Sequence, residues 1–206
     1  KSTSARELAR RLGVPYLDTG AMYRAIAVAV LDRDVDPQDR AAVETIAEAV
    51  RIELSPDSAG RFEVLLDGVP VEGRIRTAEV GKASSQVSAH SGVRARMVEL
   101  QRAAAERFGG VLEGRDIGTR VFPDAPFKFF LDADPSVRSE RRQLQLASAG
   151  QSVPLGQISA DIAERDHRDR TRADSPLAAD DTYQHLDATE LSADEVVERM
   201  LSVIRS

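Results

Sequence analysis

Val111-Leu112-Glu113-Gly114-Arg115-Asp116 decides how this chain folds. Gly109-Gly110 breaks the helical pattern before it, and Val111-Leu112-Glu113 is too short and too apolar to read as anything but a strand. The strand runs straight into an Arg–Asp pair held between glycines. In open α/β sheets ligands bind beyond the carboxyl ends of the strands. A strand that delivers Arg115 and Asp116 to that edge can supply one group for a phosphate and one for the shell of a magnesium ion. A buried Arg115–Asp116 ion pair would account for the same two residues.

Upstream, Val93, Met97, Leu100, Ala104 and Phe108 form one stripe and predict a helix from Gly92 to about Phe108. Residues 51–71 alternate instead: Arg51-Ile52-Glu53-Leu54, a turn at Asp57-Ser58-Ala59-Gly60, Phe62-Glu63-Val64-Leu65-Leu66, and a second turn at Asp67-Gly68. That is an antiparallel hairpin inserted into a helical region. Helices are predicted over Arg40 to Val50, Ala21 to Leu31 and Ser4 to Leu12, the last stopped by Gly13-Val14-Pro15. Tyr16-Leu17-Asp18 between them is short and extended.

Downstream, Phe127 to Leu131 reads as the clearest buried strand. It ends in Asp132-Ala133-Asp134-Pro135, where Asp134 can cap a helix that has Pro135 at its first position. Helices follow at about 136–148 and 155–167, separated by Ser148-Ala149-Gly150-Gln151-Ser152. A last strand (Tyr183 to Asp187) and a last helix (Ala193 to Ile204) close the pattern, with Ser192 and Glu195 spaced as a capping box. Strands separated by helices predict an α/β fold with a parallel sheet and helices on both faces.

The chain has 206 residues, room for one domain carrying subdomain insertions. No run approaches the roughly 18 apolar residues of a membrane span, and no signal-peptide pattern opens the chain. Without cysteine there is no disulfide or thiol chemistry, and His90, His167 and His185 are too scattered for a zinc site. Twenty-eight basic against 34 acidic residues argue against nucleic acid as the partner. Arg outnumbers Lys 25 to 3, a bias that genome composition explains and that planar, bidentate phosphate binding would reinforce.

Three further stretches carry chemistry. Lys1-Ser2-Thr3 leading into a helix reads as the end of a phosphate-binding loop, where a lysine reaches phosphates and a hydroxyl ligates magnesium. In Arg165-Asp166-His167-Arg168-Asp169-Arg170-Thr171-Arg172, the arginines either decorate a solvated helix with ion pairs or form an exposed arm that closes over a polyphosphate. Asp18-Thr19-Gly20-Ala21-Met22-Tyr23-Arg24 places Thr19 as a helix N-cap and Arg24 one turn beyond it.

These stretches, with Ala83-Ser84-Ser85-Gln86-Val87, Val93-Arg94, Glu113-Gly114-Arg115-Asp116-Ile117-Gly118-Thr119 and Phe122-Pro123-Asp124-Ala125, follow the order and spacing of the bacterial cytidylate kinases. The chain resembles that family of nucleoside monophosphate kinases over essentially its whole length. The resemblance implies a single P-loop kinase domain over 1–206, a monophosphate-binding subdomain at about 25–108 with an insertion near 51–90, and a lid at about 148–172. It implies transfer of the γ-phosphoryl group of ATP to CMP or dCMP, with Mg2+, by a cytoplasmic monomer that binds neither nucleic acid nor membrane. A kinase for UMP or AMP, a non-catalytic nucleotide-binding protein and an α/β interaction domain are the alternatives.

The resemblance also implies roles. Thr19 and Ser85 face the cytosine or ribose, and Arg24, Arg94 and Arg115 hold the phosphate of the monophosphate. Asp169 contacts the sugar hydroxyls and Arg172 the phosphate. Arg165, Arg168 and Arg170 embrace the moving phosphoryl group, with Arg165 also on ATP. Lys1, Ser2 and Thr3 bind ATP, Ser2 ligating Mg2+ through its hydroxyl. Asp116, acting through water, and Asp18 help to organise the metal. The family's first strand and glycine-rich loop would precede Lys1, so further residues are expected upstream.

Overall fold

The computed structural model describes residues 1–56, 62–148, 150–172, 174 and 176–206. They fall into two compact units, Lys1–Pro123 and Asp124–Ser206. The turn expected at Asp57-Ser58-Ala59-Gly60, and Ala149, lie outside the described residues.

The first unit opens with α1 (Ser2–Leu12), stopped by Gly13 at φ 67°, a left-handed conformation suited to glycine. Then come β1 (Tyr16–Asp18), α2 (Thr19–Leu31) and α3 (Arg40–Ala49). The hairpin strands β2 (Ile52–Pro56) and β3 (Phe62–Leu66) pair antiparallel, and β4 (Val69–Pro70) adds to β3. The unit closes with α4 (Ala78–Val87), α5 (Ser91–Phe108), β5 (Val111–Glu113) and a wide π-helical turn over Ile117–Val121. The helix α4 was not part of the sequence expectation, which had only an insertion there: its apolar residues Val80, Ala83 and Val87 are too few to stand out in AEVGKASSQV.

The core of this unit forms around α2. Ala25, Ile26, Ala27, Ala29 and Val30 are inaccessible to solvent, so the helix is buried on nearly all sides. Each large aliphatic side chain buried in this way contributes about 1.5–3 kcal/mol. α3, α4 and β3 pack around it. The stripe predicted on α5 is inside at Val93, Met97 and Ala104, while Phe108 meets the ring of Phe62 at 4.8 Å between centroids. β1 and β5 run parallel, Tyr16 beside Val111, Leu17 beside Leu112 and Asp18 beside Glu113. Gly110, at φ 119°, allows this approach, because a Cβ there would overlap the Pro15 carbonyl oxygen.

The second unit contains β6 (Phe129–Asp132), α6 (Pro135–Ser148), α7 (Leu155–Thr171), β7 (Gln184–Asp187) and α8 (Ala193–Arg205). β6 and β7 pair parallel, and both halves of the Ser192–Glu195 capping box are formed. Asp134 accepts from the Ser136 backbone amide at 2.8 Å, as a cap before Pro135 should. β6 begins at Phe129, not Phe127, and is only half-buried; Phe127 precedes the ladder and is 45% exposed. α7 runs on to Thr171, so the Arg165–Arg172 stretch is its last turns and not a separate exposed arm.

Candidate active site

Asp18 and Glu113 are the paired last residues of β1 and β5, so the first unit gathers its polar groups at the carboxyl ends of two parallel strands. Asp18, not Thr19, caps α2: its Oδ1 accepts from the Ala21 amide at 3.2 Å. Thr19 is the first helical residue, buried, and its hydroxyl donates to the Glu113 carbonyl at 2.7 Å. Gly114 follows with no room for a side chain, since a Cβ would stand 2.7 Å from Thr19 Oγ1. α1 enters at the same edge, where Ser2 Oγ donates to Glu113 Oε1 at 2.9 Å. Lys1 and Thr3 are exposed at the start of that helix.

Asp116 meets Arg94 of α5. Its carboxylate takes a hydrogen bond from Arg94 Nη2, with the Arg94 side chain 2% and the Asp116 side chain 7% exposed. Arg94 lies inside α5, where Nη1 also donates to the Ser88 carbonyl at 3.3 Å. Its Nε, equally buried, has no hydrogen-bond partner among the described residues. Taking a guanidinium out of water is costly, and one carboxylate with one carbonyl offsets that only in part. Arg115, half-buried, stands one residue before Asp116.

Around this edge, Arg24 on α2 donates to the Ile75 carbonyl at 2.9 Å. It crosses α4 at Gly81, where a Cβ would sit 3.4 Å from Nη1. Ser85, half-buried on α4, lends its carbonyl to the Ser88 hydroxyl at 3.1 Å. Arg76 reaches Asp18 Oδ2 at 3.3 Å while gripping Glu72 at 2.7 Å. Burial works against the charge on Arg76, but Glu72 and Asp18 outweigh it and hold its pKa above the ordinary value.

In the second unit, Asp169 is buried, with Arg172 Nη1 at 3.5 Å and Arg165 Nε at 3.9 Å. Arg168 pairs with Glu164. Asp166, also buried, takes Arg138 of α6, and this bond, against the cost of burial, raises the pKa of Arg138. The guanidinium of Arg170 is exposed and has no partner among the described residues. The ion-paired helix reading therefore describes most of this run, while Arg170 stays open to solvent.

The sequence reading missed Glu113, Tyr16 and Arg76. Glu113 opens a stretch that carries the resemblance but has no role assigned from the sequence; the signal that marks it is its place as the last residue of a parallel strand. Tyr16 gives no such signal, because an aromatic in a short strand reads as core. Among the described residues no cluster of three or more histidine, aspartate or glutamate side chains could hold a metal ion by itself. No helix among them is long and apolar enough to cross a membrane.

Parallel strand pairs joined through helices, with a Lys-Ser helix start, two carboxylates and an Arg–Asp loop at one strand edge, are the build of a P-loop kinase. The whole chain, residues 1–206, matches the family model described as cytidylate kinase, and the chain belongs to that family. It is similar to the cytidylate kinase of Solibacter usitatus, at 46% identity over all of this chain and 88% of the relative. It is 44% identical to that of Corynebacterium glutamicum, over all of this chain and 90% of the relative. A bifunctional pantoate ligase/cytidylate kinase of Prochlorococcus marinus matches it at 44% identity, over all of this chain and 42% of that longer protein.

Proposed function

We propose that this chain transfers the γ-phosphoryl group of ATP to CMP, giving ADP and CDP. Membership of the cytidylate kinase family over residues 1–206 carries the reading. Transfer is in line and direct. Phosphoryl transfer needs two polyanions positioned and spreading charge neutralised, with little covalent work for the protein. A strand edge with cationic side chains around it and no cysteine in the chain suits that chemistry.

In this proposal dCMP is a second acceptor, and the enzyme is a cytoplasmic monomer of pyrimidine nucleotide metabolism. Residues 1–206 act as one kinase domain, 25–108 as the monophosphate-binding part and 148–172 as the lid. Arg24, Arg94 and Arg115 take the phosphate of CMP, Thr19 and Ser85 its nucleoside, Asp169 the sugar hydroxyls and Arg172 the phosphate. Arg165, Arg168 and Arg170 act on the moving phosphoryl group, and Lys1, Ser2 and Thr3 on ATP. The cation that accompanies ATP is Mg2+, which takes oxygen ligands and keeps several waters. The donor set fits such an ion: Ser2 Oγ gives its proton to Glu113 and keeps its lone pairs for a cation. Asp116, already paired with Arg94, suits a role through water better than direct ligation. When bound, the ion neutralises phosphate charge.

The test is ADP production by the full-length protein with MgATP and, separately, CMP, dCMP, UMP and AMP. Turnover led by CMP and dCMP is expected. A lead by UMP or AMP would overturn the assignment of the base, and no turnover with any of the four would overturn the kinase reading.

A further inference from the structure

Tyr16 lies on β1, 8% exposed, and its hydroxyl donates to Glu113 Oε2 at 2.7 Å. The other oxygen of the same carboxylate, Oε1, takes the Ser2 hydroxyl at 2.9 Å. The three side chains thus form one relay from the strand interior to the start of α1. Packing alone does not require this relay, because phenylalanine would fill the same space beside Arg6, whose Cζ lies 5.4 Å from the ring centroid.

A glutamate at a strand end has three side-chain torsions and could present either oxygen in many directions. With Oε2 held by a phenol that packing fixes, the carboxylate plane is set and Oε1 is aimed at Ser2. A serine whose proton is accepted in this way presents its lone pairs outward, as a hydroxyl that ligates a hard cation must.

We propose that Tyr16 is a positioning residue for the metal–nucleotide site: through Glu113 it orients the Ser2 hydroxyl toward the cation that accompanies ATP. The inference rests on the reading of Ser2 given under Proposed function. It adds Tyr16, which acts through Glu113 and touches neither nucleotide.

The test uses the full-length protein and the variant Tyr16→Phe. Titration calorimetry gives ATP affinity in excess Mg2+ and in EDTA, and steady-state kinetics give the two KM values. Losing a hydrogen bond to a charged group is expected to weaken ATP binding in Mg2+ by roughly 5- to 20-fold. Affinity in EDTA and KM for CMP are expected to stay within about twofold, a split that general damage to the fold would not produce. Glu113→Gln, which leaves Tyr16 in place, should show the same Mg2+-selective loss. Adding Tyr16→Phe to it should then cost less than about twofold more, because the two residues act as one unit. Equal losses in Mg2+ and EDTA, full additivity, or no Mg2+-selective loss in Glu113→Gln would each overturn the proposal. Failure of the wild type to phosphorylate CMP would remove the proposed reaction, but the binding comparison would still decide the role of Tyr16.

Discussion

Arg94 and Arg115 show what a single position decides. The family resemblance implies one partner for both, the phosphate of the monophosphate, and a buried Arg115–Asp116 ion pair is the other reading of the loop. In the fold it is Arg94, 22 residues earlier in the chain, that holds Asp116 in a buried pair. β5 ends at Glu113, and a long side chain from α5 reaches the bend that follows it. Arg115 is half-buried just beyond the end of β5. Arg115→Ala is expected to lower kcat/KM by about two orders of magnitude and to leave the far-UV circular dichroism unchanged. This corresponds to roughly 3 kcal/mol for a charged contact that strengthens in the transition state. Turnover close to wild type would remove Arg115 from the reaction.

At the scale of elements, the start of α5 depends on a residue of α3. The Gly92 amide donates to Glu44 Oε1 at 2.8 Å, and Arg40 pairs with the same oxygen at 3.1 Å. The amide bond and then Arg40, with burial opposing, hold the Glu44 pKa below its ordinary 4.5. A depressed carboxylate pKa means that its stabilisation is fully present above the unfolded value and is lost as pH falls through the lower folded value. Glu44→Gln is therefore expected to be less stable than wild type near neutral pH, by about 0.5 kcal/mol given the exposure of the pair. That gap should narrow as pH falls below about 4.5. Urea unfolding of both proteins across pH 3–7 measures it, and a constant gap would exclude Glu44 ionisation as the cause. Such a bond between helices cannot be read from periodicity. The helices themselves can, because their caps are local: Gly13, Asp134 with Pro135, and Ser192 with Glu195 all end or begin helices where the residue types said they would. α4 escaped because its burial is set by α2, against which it packs.

For the whole molecule, binding of two polyanions should appear as stability. A ligand at a hundred times its Kd adds about 2.7 kcal/mol, and a protein of this length gains about 2–4 °C in Tm per kcal/mol. CMP at that excess is expected to raise Tm by roughly 5–10 °C, and UMP or AMP at the same concentration by markedly less. Scanning calorimetry with each nucleotide measures the difference, and equal shifts would contradict selection for cytosine.

What the sequence determined by itself was local or carried by several matching stretches: the helices with their stop signals, the hairpin strands, the strand entering Gly114-Arg115-Asp116, and the family resemblance. These follow from torsional preference, capping and spacing, which operate over a few residues. Tertiary structure alone decided which groups meet: Ser2 and Tyr16 on the two oxygens of Glu113, Arg94 on Asp116, Arg76 on Asp18, and Arg138 on Asp166. The reason is physical. Tyr16 and Glu113 are 97 positions apart, and only the parallel register of β1 and β5 brings such distant residues to one edge. Once there, a buried or half-buried charge must find a partner within reach, and the packing of the chain, not its order, sets which partners are in reach.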